Sequence, residues 1–140
     1  MSRKNRVAAL AVAAAEMIEF GRAYMAQIVR NAQALGAALA QRGIPVLGAH
    51  KGYTRTHQVI ADVRAFGSGL DTAHLLARAN IVTNKNLIPS DTAHDWDRPS
   101  GLRMGTIEVT RYGMREKEMD IIADFMARLL VEKHSPDTVL

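Results

Sequence analysis

From residue 5 to residue 42 the chain is written almost entirely in helix-forming residues, and this run constrains the fold more than anything after it. Alanine dominates, and apolar residues return at helical spacing: Val7, Leu10, Ala14, Met17 and Ile18, then Met25, Ile28, Val29, Ala32, Leu35 and Leu39. Phe20-Gly21 marks the expected bend or break between two helices, because glycine inside a helix costs about 1 kcal/mol relative to alanine. Gly43, after Arg42, is placed as a C-terminal cap. The first helix, up to Met17, is nearly free of polar residues on several sides. A helix that apolar is normally buried against something, and the rest of this small chain is short of material to cover it.

Beyond Gly43 the pattern changes to short segments of alternating type. Residues 44–49 and 57–63 read as strands separated by the loop "HKGYTRT". Ser68 to Asp71 opens a helix, with Asp71 as the expected cap and Ala73, Leu75, Leu76 and Ala79 as its body. Residues 81–84 read as a further strand, and 87–100 ("LIPSDTAHDWDRPS") as a loop long enough to suspect function. The stretch "PSGLRMGTIEVTRYGM", residues 99–114, supplies the last strand, through Met104, Ile107 and Val109. The last helix covers 115–133, with Met119, Ile122, Phe125, Met126, Leu129 and Leu130 on one face. The order ααββαββα predicts an α+β fold: two N-terminal helices, then a small, mostly antiparallel sheet with helices packed on one face. Residues 1–42 form the linking helices and 43–140 the small C-terminal domain.

Composition narrows the function. At 140 residues and 48% hydrophobic content, the chain can build one core. It contains no cysteine, which excludes disulfides, thiolate metal sites and a cysteine nucleophile, and makes the cytoplasm the expected compartment. The basic, Ala-rich start imitates a signal peptide faintly, but it lacks a leucine core and Glu16 and Glu19 follow at once, so it reads as helix. No run of 18 apolar residues offers a membrane span. The net charge of +4 is dispersed, with only Arg3, Lys4 and Arg6 clustered, and the few aromatic residues build no base-stacking surface. A nucleic-acid partner is not expected.

The five histidines show no metal-ligand spacing, the serines lack a nucleophile-elbow context, and the glycines form no phosphate-binding fingerprint. Two constellations remain. In "NIVTNKNLIP", residues 80–89, a strand delivers Asn84, Lys85 and Asn86 to a loop. Their amides suit a flat polar ligand, or they cap their own backbone in a turn. Arg103 is a fixed charge written into a core strand. Its fork matches a carboxylate, and burying it alone costs several kcal/mol. Either a ligand brings the counter-ion, or Arg103 makes a structural pair with Glu108 or an aspartate of the 91–97 loop.

These two motifs, in this order and separation, resemble the serine hydroxymethyltransferase family, whose sequences carry VNKN(x)IP followed by SG(I/L)R(I/L)GT. The resemblance extends back through "AALAVAAAEM" and "VRNAQALGAALAQRG", covers residues 5–133, and leans in "AEMIEFGRAY", "HKGYTRTHQV" and "EVTRYGM" towards an archaeal-like branch. It implies the small C-terminal domain of a fold type I pyridoxal-phosphate enzyme that moves a one-carbon unit between serine and a tetrahydropterin, leaving glycine. Relatives perform aldolase or threonine transaldolase chemistry instead. By resemblance Arg103 holds the α-carboxylate of the amino-acid substrate, Asn86 falls at a pterin-contacting position, and His57 is either a neighbour of the active site or a hydrogen-bonded structural histidine. The family pattern GTPAxTTRG reads here GTIEVTRYG, with Tyr112 at the second arginine's place and Arg111 one residue earlier, which weakens a transfer of pterin specificity.

The family's lysine motif, a threonine-rich run before His-Lys, occurs nowhere in the chain, and Lys85 is not that lysine. No catalytic or cofactor-binding residue is therefore expected here. The chain looks like the C-terminal third of such an enzyme, starting just before the linking helices and stopping soon after "SPDTVL", where relatives often have another short helix. Three readings stand. It is the substrate-closing part of a split enzyme whose large domain or subunit holds pyridoxal phosphate, forming a hetero-oligomer. It is an inactive domain of the same ancestry. Or it is a non-catalytic interaction module that reuses the fold.

Overall fold

One helix, α1 (Arg3–Gln41), takes up more than a quarter of the computed structural model, which describes residues 3–139, with side chains from residue 5. The basic cluster read at Arg3 and Lys4 falls outside the described side chains. The helix does not break at Phe20-Gly21. Gly21 is buried and lies against Met17, and the modest propensity cost of one glycine is outweighed by long alanine-rich runs that propagate cooperatively from both sides. It ends as its sequence indicates. Gly43 adopts φ 82°, and the Gly43 and Ile44 N–H groups bond back to the Ala40 and Leu39 carbonyls.

After α1 come β1 (Gln58–Asp62), α2 (Gly69–Arg78), β2 (Asn84–Asn86), β3 (Gly101–Gly105), α3 (Ile107–Arg111), α4 (Glu116–Leu130) and α5 (Pro136–Val139). The sheet is antiparallel in the order β1-β3-β2, so the strand carrying Arg103 is central. The alternation of β1 and β3 sends Val59, Ala61, Leu102 and Met104 into the core. There they meet Ala32, Leu35 and Leu39 of α1, Leu76 of α2, and Met119, Met126 and Leu129 of α4. Ile60, Arg103 and Asn84 share the opposite, uncovered face.

Four local expectations need correcting. The strand read over 44–49 is a single bridge, Val46 to Ala61: Pro45 has no N–H to donate, and Gly48 turns away at φ 74°. The strand read over 81–84 starts at Asn84 instead. Asn80 adopts φ 57° and the Ile81 N–H closes α2 on the Leu76 carbonyl, so Asn80 and Ile81 belong to the helix cap and pairing begins only at Asn84. Ser68, not Asp71, is the N-cap of α2. Its hydroxyl accepts from the Asp71 N–H, and the Asp71 carboxylate reaches back, completing a capping box. Finally, strand β3 stops at Gly105, and Ile107, Glu108, Val109 and Arg111 are helical. Thr106 is buried, hydrogen-bonded through its hydroxyl to the Ile28 carbonyl of α1, and its own carbonyl takes the Thr110 hydroxyl.

Candidate functional site

The uncovered face of the sheet holds a cleft of about 330 Å³ where β2 parts from β3. Arg103 lines it, with Asn84 directly across the strand pair, Gln58 and His57 on the β1 side, and Thr83 just before β2. No carboxylate lines it among the described residues. The Thr83 hydroxyl is buried and has no hydrogen-bond partner among the described residues. The His57 ring lies beside Gly105, and its carbonyl accepts from the Thr106 N–H at 3.1 Å, which joins the end of β3 to the residue before β1.

Arg103 is partly buried, and among the described residues no ion pair or hydrogen bond involves its guanidinium. The aspartates that could have neutralised it are engaged elsewhere. Asp91 accepts from the N–H groups of Ile88 and Ser100 at 3.0 and 2.9 Å. Asp95 caps Thr92. Asp97 receives Lys85, whose ammonium also donates to the Asp97 carbonyl at 2.6 Å and stands 5.5 Å from the centre of the Trp96 ring. Glu108 lies exposed in α3, away from any pairing with Arg103 among the described residues. Five N–H donors in a fixed fork thus line an open cleft with no neutralising partner among the described residues.

The sequence-derived residues divide. Arg103 and His57 line the same cleft. Asn86 shares the face but pairs with Gly101, one step along the strand, and its amide donates to the adjacent Leu87 carbonyl at 2.6 Å, the turn-capping alternative. Gln58 and Thr83 are cleft residues that sequence reasoning did not single out, and Asn84, read only as one of the Asn-Lys-Asn group, lines the cleft as well. The signal for Asn84 was its period-2 relation to Asn86, but only the strand register shows that it faces Arg103.

The 87–100 loop is held down by charge. Arg98 pairs with Asp71 at the start of α2. The Ser68 hydroxyl and then Arg98 hold the Asp71 carboxyl below the usual range. Burial pushes Asp91 up, but its hydrogen bonds from Ser100 and Ile88 outweigh this and lower it, and the Thr92 N–H and hydroxyl lower Asp95. A carboxyl depressed in the folded state contributes stability that is fully present above its unfolded value, about 3.9, and lost as pH falls through the folded value. Unfolding midpoints are therefore expected to hold from neutrality to about pH 5 and to decline below about pH 4, with a shallower acid decline in Asp71→Asn. A decline complete above pH 5, or one unaltered by that substitution, contradicts the assignment.

Lys85 is committed to Asp97 and Trp96 on the side of β2 away from Arg103, and Lys51, Lys117 and Lys133 are exposed on other elements. The described residues do not fit an aldimine-forming lysine, and no group of three potential metal ligands occurs among them. No described helix is long and apolar enough to cross a membrane.

The family model described as serine hydroxymethyltransferase matches residues 2–126. The chain is 50% identical over 135 residues to the serine hydroxymethyltransferase of Staphylothermus marinus, covering 96% of this chain and 31% of that protein. The enzyme of Methanocaldococcus jannaschii is 48% identical over 136 residues, with coverage of 94% and 32%. The chain thus spans about a third of the length of the curated relatives it matches. Among solved structures, L-threonine transaldolase from Pseudomonas fluorescens in its internal aldimine state superposes with a TM-score of 0.76 and 36% identity, covering 89% of this chain and 27% of that one.

Proposed function

Because the chain belongs to the serine hydroxymethyltransferase family, we propose that it is the substrate-closing domain of a pyridoxal-phosphate-dependent enzyme that interconverts serine and glycine. Its α+β fold is that of the small C-terminal domain of fold type I enzymes. The cofactor supplies the electron sink for chemistry at the amino acid's α-carbon, and a large domain or subunit beyond these residues holds it. This chain's part is to bind and orient. Arg103 takes the α-carboxylate in its fork, so that the substrate rather than a protein side chain neutralises it. The observation that carries this reading is the guanidinium on the open sheet face with no ion pair among the described residues, the neighbouring aspartates being engaged elsewhere.

The amino-terminal half of α1 supports a docking role. Residues 5–20 are exposed throughout, including Leu10 at 69%, Ile18 at 88% and Phe20 at 58%. These roughly 24 Å of apolar helix make a surface for the cofactor-binding part to cover. Residues 1–42 then act as the linking element and 43–140 as the small domain, and the assembly is a hetero-oligomer if the large part is a separate polypeptide.

In the assembled enzyme, Arg103→Lys is expected to weaken serine and glycine binding by about 100-fold, since a point charge replaces two parallel charge-assisted bonds. The cofactor's absorbance should stay as it is. Unchanged amino-acid affinity refutes the assignment. The transaldolase likeness favours a second reading, in which the same cleft serves threonine and an aldehyde. Product formation from that pair without a tetrahydropterin would select it.

A further inference from the structure

The strand register identifies a second polar residue of the carboxylate site. Asn84 and Arg103 are direct cross-strand partners on the uncovered face of the sheet, and both line the same cleft. Directly opposed residues in an antiparallel pair carry their Cβ atoms about 5 Å apart, so one small anion can touch both side chains. Among the described residues the Asn84 side chain has no hydrogen-bond partner, in contrast to Asn86, whose amide is already given to Leu87. We propose that Asn84 is a positioning residue for the substrate carboxylate: its amide N–H donates to a carboxylate oxygen held by the Arg103 fork.

The chemistry of the two groups is complementary. A carboxylate has about four lone-pair sites, and a bidentate guanidinium uses two. The remaining sites face solvent or a neutral donor. An amide supplies that donor without competing for the arginine's charge, whereas an aspartate in the same place would pair with the arginine and close the site to anions. The absence of any carboxylate lining the cleft fits this requirement. The inference rests on the reading of Arg103 as the carboxylate-binding residue.

The test uses this chain, with acetate as the anion and glycine as the amino acid, followed by NMR at the Arg103 Nε–H and the Asn84 side-chain amide. Saturable shifts of both signals are expected. Asn84→Asp should weaken acetate and glycine binding about tenfold or more by pairing with the arginine, and Asn84→Ala by about three- to tenfold through loss of one charge-assisted bond. His74→Asp, exposed on α2 and outside the cleft, should change it by less than about twofold. Backbone shifts elsewhere should remain those of the unaltered chain, which separates a positioning role from a structural one. If Arg103 responds to acetate in both Asn84 variants as it does in the unaltered chain, the assignment of Asn84 is overturned and that of Arg103 stands. If the Arg103 signal does not respond in the unaltered chain, both are overturned.

Discussion

Replacing Asn31 by alanine is expected to lower the stability of the domain by about 3 kcal/mol, although Asn31 touches neither the cleft nor the sheet. Asn31 is fully buried in α1 and uses three of its four hydrogen-bonding positions. Its amide nitrogen donates to the Thr110 hydroxyl at 2.8 Å and to the Met114 carbonyl at 2.9 Å, and its oxygen accepts from Gln27 at 2.8 Å. The chain of bonds continues in both directions. Gln27 receives Arg30, which reaches Glu116, and Thr110 donates to the Thr106 carbonyl while Thr106 donates to Ile28. Alanine would leave the Gln27 amide and the Met114 carbonyl without this partner and the Thr110 hydroxyl with only its bond to Thr106, each loss costing up to about 1–3 kcal/mol less whatever water can recover. Leucine at this position should do no better, because the orphaned groups belong to the partners. Denaturant unfolding should show a lower midpoint with an unchanged slope, and a double-mutant cycle with Thr110→Val a coupling of about 1 kcal/mol or more. A loss below 1 kcal/mol would mean the network is only decorative. The network also ties α1 to the turn that follows the arginine's strand, through Thr106, Thr110 and Met114.

What the sequence disclosed follows from the range of the signals. The helical faces of α1 and α4 were legible because 3.6-residue periodicity is local and long: Ile28, Ala32, Leu35 and Leu39, and Met119, Met126, Leu129 and Leu130, are all buried. The short strands were less legible. "TIEVTR" alternates like a strand, yet Thr106 is anchored to Ile28, 78 residues earlier, and that contact turns the chain into α3. The ends of β2 were misjudged for a similar reason, because Asn80 and Ile81 are used to close α2. Arg103 could be picked out because a fixed charge in an apolar strand is anomalous by itself. The contest between a ligand and a structural pair turned on the aspartates of the loop, which are engaged with Ile88, Ser100, Thr92 and Lys85, and the ligand reading is the proposal built on that. Asn84 depended on register, which a three-residue strand cannot specify from its own pattern.

Gly101→Ala is expected to be as damaging as the loss of Asn31, and for a reason of space rather than of backbone conformation. Gly101 lies in β3 opposite Asn86, where β2 comes so near that an added Cβ would sit 2.5 Å from the Asn86 carbonyl oxygen and strike the Ile88 side chain. On its other side the Gly101 carbonyl is in the path of any Cβ at Gly69, the first residue of α2. The neighbouring backbone is pinned as well: Ser100 donates to Asp91 and accepts from Val63, and Pro99 accepts from Gly69 at 2.6 Å. The methyl group cannot be accommodated by a side-chain rotation, since one of the atoms it meets is backbone. Overpacking of this kind costs about 1–3 kcal/mol, and the upper end is expected here. Relief should come by β2 separating from β3, which would carry Asn84 away from Arg103 and enlarge the cleft. Amide hydrogen exchange should accordingly quicken at 84–86 while α1 and α4 keep their protection. Gly105 in the same strand provides the control. A Cβ there meets only the His57 ring, at 3.7 Å, so Gly105→Ala should stay within about 0.5 kcal/mol of the parent. Equal tolerance at both glycines would show that the approach of β2 to β3 is looser than the geometry requires, and would remove the steric basis for the placement of Asn84.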